Sequence, residues 1–405
     1  MEELDRSEGL GERLLGTLID RAHEMPPHLI APLVAEEIKV IGGRDVAVFL
    51  PDYDLLLLMP LPGKGLRVQE PVPIDGSLAG RAFLGDKLVE DPVDDGVRVF
   101  APLLDGTDRV GVVAFTTDGC DDHDRRLVRR LAGLVADVLV TKGMYTDRFF
   151  QARRREPMSL SAEMQWSLLP PLIMTNPQVA VAGILEPAYR VAGDSFDYAL
   201  NEESLHVAII DAMGHGLDAA VLASVAIASY RHARRGDVDL RDLYTAMDLA
   251  IAEQFSDEHF VTVQMAHLDV GTGCLQWVNA GHPHPLLLRD QRVVRALESP
   301  TTLPAGFGGA EPIVSEESLE QGDRVLFFTD GITEEHLLGG PEFGEGRLVE
   351  VLEQVAEDGG SVQEVVRRLS HALKEARHGE TTDDATLFMI EWRGGSADHL
   401  AQLDG

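Results

Sequence analysis

Four short acidic motifs, three of them with glycine, each where an apolar run begins or ends, constrain this chain more than any other feature. They are Ala192-Gly193-Asp194-Ser195-Phe196-Asp197, Asp211-Ala212-Met213-Gly214-His215-Gly216, Thr329-Asp330-Gly331-Ile332-Thr333-Glu334 and Thr382-Asp383-Asp384-Ala385-Thr386. An apolar run bounded by such residues predicts a strand, so each carboxylate is expected where a sheet meets a loop. Glycine there allows a sharp turn and a close approach of backbone carbonyls to a ligand. Singly, an Asp-Gly pair is a turn. Several carboxylates brought together repel one another at low dielectric, and a divalent cation relieves the repulsion. Oxygen-only ligation selects Mg²⁺ or Mn²⁺ over Zn²⁺.

The runs around these motifs predict strands over 179–186, 206–210, 262–269, 274–279, 285–288, 324–329 and 385–392. Helices are expected over 219–235, 240–255, 348–353 and 362–377, the first burying Val221, Val225, Ala228 and Tyr230. Helices grouped among consecutive strands indicate a sandwich with sheets at its centre, not a doubly wound fold. Upstream, Leu10, Leu14, Leu15 and Leu18 mark helices across 9–40, and 46–50 with 55–59 read as a hairpin. A short helix follows within 74–84, strands at 99–104 and 109–116 flank the Asp105-Gly106 turn, and an amphipathic helix spans 121–139. The whole is read as α+β: a domain at 1–140, a helical connector at 141–172, a catalytic-type domain at 173–393 and a tail at 394–405. In the connector, Ser159 or Ser161 is placed to cap the segment SLSAEMQWSLL, which Pro170-Pro171 stops.

Charge narrows the partners. With 35 Lys+Arg against 68 Asp+Glu the formal charge is −33, which disfavours nucleic acid and anionic membrane surfaces. Cys120 and Cys274 are far apart, so neither a disulfide framework nor a thiolate metal site is expected. The acidic, amphipathic start is unlike a signal peptide and no apolar run reaches spanning length, so a cytoplasmic setting is expected.

The segments GDSFD, DAMGHGLDAA, NAGHPHPLLL, FFTDGITE, FGEGRL and TDDATLFMI occur in the order and spacing of the SpoIIE-type branch of the PPM metal-dependent protein phosphatases, and residues 160–393 resemble that family. The resemblance implies an αββα sandwich with two Mn²⁺ or Mg²⁺ ions at one end. It makes Asp211 the acid bridging both ions, with the Ala212 carbonyl completing one shell. Asp194 would bind the same core, Asp330 and Asp383 would complete the second ion, and Asp197 or Asp384 would orient waters or a looser third ion. The implied activity is hydrolysis of phosphoserine or phosphothreonine. The implied substrate is a phosphorylated STAS-type anti-sigma-factor antagonist, and EMQWSLLPP resembles the branch's switch helix. Residues 9–140, through IDGSLAGRAFL and VFAPLLDGTDRVGVVAF, resemble a GAF domain, which implies a small-molecule or protein signal there, or a purely dimerising role. A homodimer is expected.

Other residues are weighed more plainly. Arg190 is the one candidate for holding phosphate, and His215, between two glycines, is read as positioning its loop rather than as a general acid. His282-Pro283-His284 is read as a packing turn, and His23, His28 and His123 as ordinary surface or core residues. The competing reading of the chain is a catalytically silent scaffold that keeps the acids without turnover.

Overall fold

The computed structural model describes residues 8–191, 193–309, 311–334, 343–376 and 384–395. It divides into two compact units, Met1–Pro157 and Met158–Gly405.

In the first unit α1 (Glu8–Glu24) and α2 (Ile30–Val40) precede β1 (Arg44–Pro51), β2 (Leu57–Pro60) and β3 (Val72–Pro73). Then come α3 (Leu78–Gly85), β4 (Val89–Val93), β5 (Gly96–Asp105), β6 (Asp108–Thr117), α4 (Asp122–Gly143) and α5 (Arg148–Arg153). The strands form one antiparallel sheet in the order β3-β2-β1-β6-β5-β4. Alternation along β1 sends Val46, Val48 and Leu50 into one core with Ile38 of α2 and Leu131 and Val135 of α4. Ala47 and Phe49 enter the other, against Ala82 and Phe83 of α3. Local chemistry fixes the helix starts: Ser77 accepts the Gly80 N–H at 2.9 Å, and Asp121 and Asp124 form a reciprocal capping box before α4. The hairpin expected over 46–50 and 55–59 is the β1–β2 pair, its turn held by Asp52 accepting from Leu56 and Leu57. Sequence reading did not anticipate β3 and β4. Each contains proline, and both are edge strands, where a missing N–H costs least.

The second unit begins with α6 (Leu160–Leu168), β7 (Ile173–Thr175), β8 (Val179–Glu186), β9 (Asp194–Asn201) and β10 (Ser204–Ala212). Next come α7 (Gly216–Arg234), α8 (Leu240–Gln254), β11 (Val261–Asp269), β12 (Cys274–Ala280), β13 (Leu286–Arg289), β14 (Arg292–Ala296) and β15 (Val314–Ser318). The unit ends with β16 (Arg324–Phe328), α9 (Gly344–Glu357), α10 (Val362–Ala376) and β17 (Ala385–Trp392). Two antiparallel sheets result, β15-β12-β11-β10-β9 and β14-β13-β16-β17-β8-β7. Their facing sides share a core that includes Phe196, Val207 and Ile209 from one sheet and Val181, Phe327 and Phe388 from the other. Gly183 is required there, since a Cβ would lie 2.4 Å from the Phe196 ring. The opposite face of the first sheet, through Ala208, Ile210 and Val263, packs under α7 and α8. Helices α9 and α10 cover the second sheet, α10 lying along β8 and β17. Ser159 caps α6, accepting the Ala162 N–H at 3.1 Å, and Trp166 Nε1 donates to the Ala188 carbonyl at 2.7 Å. No helix among the described residues is long and apolar enough to cross a membrane.

One expectation is corrected. The buried face of α7 is Ala219, Leu222, Ala223, Ala226, Ile227 and Tyr230, while Val221 and Ala228 are exposed. An alanine-rich helix has so weak an apolar contrast that its buried side is read a fraction of a turn out. Asp197, expected with Asp384 beside the ions, is engaged by two arginines. Its carboxylate accepts from Arg231 Nη2 and Arg234 Nη1, both at 2.7 Å, and so ties β9 to α7. Arg231 Nη2 also donates to the Leu168 carbonyl at the end of α6.

Because Asp197 is buried between two arginines, Asp197→Ala should destabilise the protein by about 3 kcal/mol, measured by urea denaturation. Replacing both arginines by Met in the same variant should recover much of that loss. A second prediction concerns pH. Burial, with a smaller contribution from His267 stacked at 5.0 Å, pushes His206 down to about 4, so the folded protein holds it neutral. The unfolded chain takes up that proton near the ordinary value of 6.5, so stability present above it is lost as pH falls toward 4. The loss should be about 2 kcal/mol from this residue between about pH 7 and pH 5. Melting curves of His206→Gln should show a shallower acid slope than the wild type.

Candidate metal centre

Of the acids expected to act together, Asp194, Asp211, Asp330 and Asp384 lie at one end of the sandwich. Asp194 opens β9 and is the direct cross-strand partner of Asp211, next to last in β10. Thr329 follows β16, Asp330 begins the single 3-10 turn after it, and Asp384 immediately precedes β17. The two sheets are joined here by hydroxyl groups. Thr329 Oγ1 donates to Asp194 Oδ2 at 2.6 Å and Thr386 Oγ1 donates to the same oxygen at 2.8 Å. The Thr386 N–H in turn donates to Thr329 Oγ1 at 2.9 Å, which fixes the direction of the Thr329 hydroxyl. Asp384 Oδ2 accepts the Gly193 N–H at 2.7 Å, a second tie between the sheets.

Two glycines are needed for these approaches. A Cβ on Gly193 would lie 2.6 Å from the Ala212 carbonyl oxygen, and one on Gly331 would lie 1.8 Å from the Asp384 carbonyl oxygen. Any side chain at either place would push apart the loops that carry the acids.

The electrostatics follow from burial. Asp194 is 1% exposed. Desolvation first, then the charges of Asp211 and Asp384, raise its carboxyl well above the usual range, and the two threonine donors offset only part of that. Among the described residues no Lys or Arg pairs with Asp194. Nor does any group of three or more His, Cys, Asp or Glu among them form a ready-made cage for a metal ion. The donor set nonetheless fits a hard divalent cation: it offers oxygen atoms only, it holds like charges together, and Gly193 leaves the Ala212 carbonyl open to close approach.

Of the residues singled out from sequence, Asp194, Asp211, Asp384 and Ala212 are brought to this end of the β9–β10 pair and its neighbours, and Asp330 opens the adjoining turn. Asp383 lies outside the described residues, as does Ala192. Arg190 is exposed in the turn after β8. His215 is exposed and stands before α7 without a side-chain cap. His282 packs as a turn residue: its Nδ1 lies 3.1 Å from Thr262 Oγ1, and burial pushes it down to about 3. Sequence reading quoted Thr329 and Thr386 within their motifs but gave them no role. The available signal was a threonine beside an acid in two separate motifs.

An acid cluster of this kind predicts a metal-dependent stability. Asp194 has a raised carboxyl pKa, so the stability it contributes is present at low pH and lost as pH rises through that value. A divalent cation competes with the proton, so Mn²⁺ should raise the melting temperature more at about pH 8 than at about pH 5.5. Asp194→Asn should melt higher than the wild type without metal, and should lose most of the Mn²⁺ response.

Residues 201–393 match the profile of the family described as Stage II sporulation protein E (SpoIIE). The phosphoserine phosphatase RsbU of Bacillus subtilis (strain 168) is 22% identical over 264 residues, covering 63% of this chain and 77% of RsbU. The phosphoserine phosphatase RsbP of the same organism is 25% identical over 190 residues, covering 45% of this chain and 46% of RsbP. Among solved structures, the RsbU and RsbW domains of Rv1364c from Mycobacterium tuberculosis superpose with a TM-score of 0.47 at 25% identity, covering 54% of this chain and 63% of that one. The C-terminal unit is thus similar to SpoIIE-type serine/threonine phosphatase domains.

Proposed function

We propose that this chain removes phosphate from a phosphoserine or phosphothreonine of a STAS-type anti-sigma-factor antagonist, and that its first unit regulates the reaction. The observation that carries the proposal is the convergence of Asp194, Asp211 and Asp384 where the two sheets are pinned together. The phosphatases RsbU and RsbP, to which this chain is similar, support the choice of phosphoserine.

Asp194, Asp211, Asp330 and the Ala212 carbonyl would hold Mn²⁺ or Mg²⁺, with Asp383 completing the set. Bound there, the cations contribute Lewis acidity toward a water nucleophile and neutralise phosphoryl oxygens. The chain's own residues do the positioning. Thr329 and Thr386 hold Asp194 in one rotamer, and Asp384 fixes the Gly193 backbone beside it. The cluster carries net negative charge, so an isolated phosphate dianion is repelled from it until the acids are neutralised.

In the first unit, a cavity of about 200 Å³ lined by Phe49, Val72, Ser77, Arg98 and Phe100 supports a sensing role of the GAF type. We further take the protein to act as a homodimer in the cytoplasm; the free thiols of Cys120 and Cys274 accord with a reducing compartment.

The test is phosphate release from a phosphorylated STAS-type protein with Mn²⁺ present. Asp211→Asn and Asp330→Asn should each lower the rate on the order of 100-fold or more. Wild-type turnover that survives in both variants contradicts the assignment.

A further inference from the structure

Beside the acid cluster the unit exposes large apolar side chains on a braced support. Met213 directly follows Ala212 and is 46% exposed, and its N–H donates to the Phe260 carbonyl at 3.1 Å. The Phe260 ring stacks on Phe307 with centroids 5.4 Å apart and planes 23° apart, and Phe307 is 47% exposed. Leu217 and Val221 continue an apolar stripe at i, i+4 along the outer side of α7, at 45% and 39% exposure.

The loop that carries Phe307 is held from within. Asp248 on α8, 2% exposed, accepts the Gly306 N–H at 2.7 Å and the Gly308 N–H at 3.0 Å, so both neighbours of Phe307 are tied to one buried carboxylate. Gly306 and Gly308 have φ of 121° and 75°, conformations that an L side chain resists. A Cβ on Gly306 would also lie 2.7 Å from the His259 carbonyl oxygen. Keeping rings and aliphatic chains in water forgoes the gain from burying them, so a fixed apolar ledge marks a contact surface.

We infer that the ledge of Met213, Phe260 and Phe307 is the platform that seats the folded surface of a phosphoprotein substrate while its phosphoserine reaches the acid cluster. The inference rests on the phosphatase reading above and names the surface that selects its substrate. Position decides the occupant. Met213 is two residues from Asp211, so a protein that delivers a phosphoserine to Asp211 must cover the ledge. Charge supports the same choice: a chain of formal charge −33 repels a phosphorylated partner in general, and an uncharged ledge supplies an attractive contact without adding to that repulsion. The fitting partner is a folded domain with an apolar collar around its phosphoserine, not an extended acidic peptide.

The test compares three substrates of the full-length protein with Mn²⁺: p-nitrophenyl phosphate, a phosphorylated STAS-type protein, and a peptide carrying the same phosphoserine. Phe307→Ser should raise KM for the phosphoprotein about 10-fold with kcat little changed, and leave the peptide and p-nitrophenyl phosphate rates as they are. Phe307→Leu, which keeps an apolar tip, should restore most of the affinity. An unchanged KM for the phosphoprotein overturns the inference. So does a parallel fall on all three substrates, which would make Phe307 a structural residue. A change of mass in light scattering with KM unaltered would instead assign the ledge to a second copy of this chain. Wild-type protein that cleaves p-nitrophenyl phosphate but no phosphoprotein refutes the substrate reading, and the ledge's role with it.

Discussion

The second unit depends on one buried carboxylate shared between its two sheets. Asp194 belongs to β9, yet the hydroxyls that satisfy its Oδ2 come from beside β16 and from β17 in the facing sheet. Apolar packing of Phe196 against Phe388, with rings 5.1 Å apart, holds the sandwich closed but does not select a register at its end. The threonine–aspartate bonds do, because a buried carboxylate without donors is costly and few placements supply two of them. The clamp also sets the chemistry. It fixes Asp194 opposite Asp211 and near Asp384, where repulsion between carboxylates is relieved by a proton or by a divalent cation.

Much of this was legible in the residues. Strands β8 and β17 are mostly apolar runs, and the bounds expected from sequence, 179–186 and 385–392, are those observed. An apolar run beside each places Asp194, Asp211, Asp330 and Asp384 at strand ends, with glycine in the motif of the first three. Strand β9 was not legible. Asp194, Ser195 and Asp197 break its pattern, and they are buried only because threonines and arginines distant in sequence meet them. Asp197 shows the limit most clearly. In sequence it is one more acid of the GDSFD motif; in the fold it belongs to an ion pair with Arg231 and Arg234, more than thirty positions on. Nothing local distinguishes an acid that faces a metal from one that faces an arginine. The likeness of whole motifs to a family did more here than the chemistry of any single residue.

Two buried aspartates outside the cluster do related work by different means. Asp197 fixes α7 through charge, and through Arg231 reaches the end of α6, so the helix that precedes the sandwich is tied to the strand that carries Asp194. Asp248 fixes the Phe307 loop through two backbone N–H groups. The acidity of the chain is thus spread over unlike tasks. A few carboxylates brace the backbone, a few converge at the end of the sandwich, and the rest set the charge of the surface.

The most direct measurement is anomalous diffraction at the manganese edge from crystals grown with Mn²⁺. The account predicts peaks at the end of the sandwich, within oxygen-ligand distance of Asp194 and Asp211, about 2.2 Å. Peaks confined to other surfaces, from crystals of protein that releases phosphate with Mn²⁺, would contradict it.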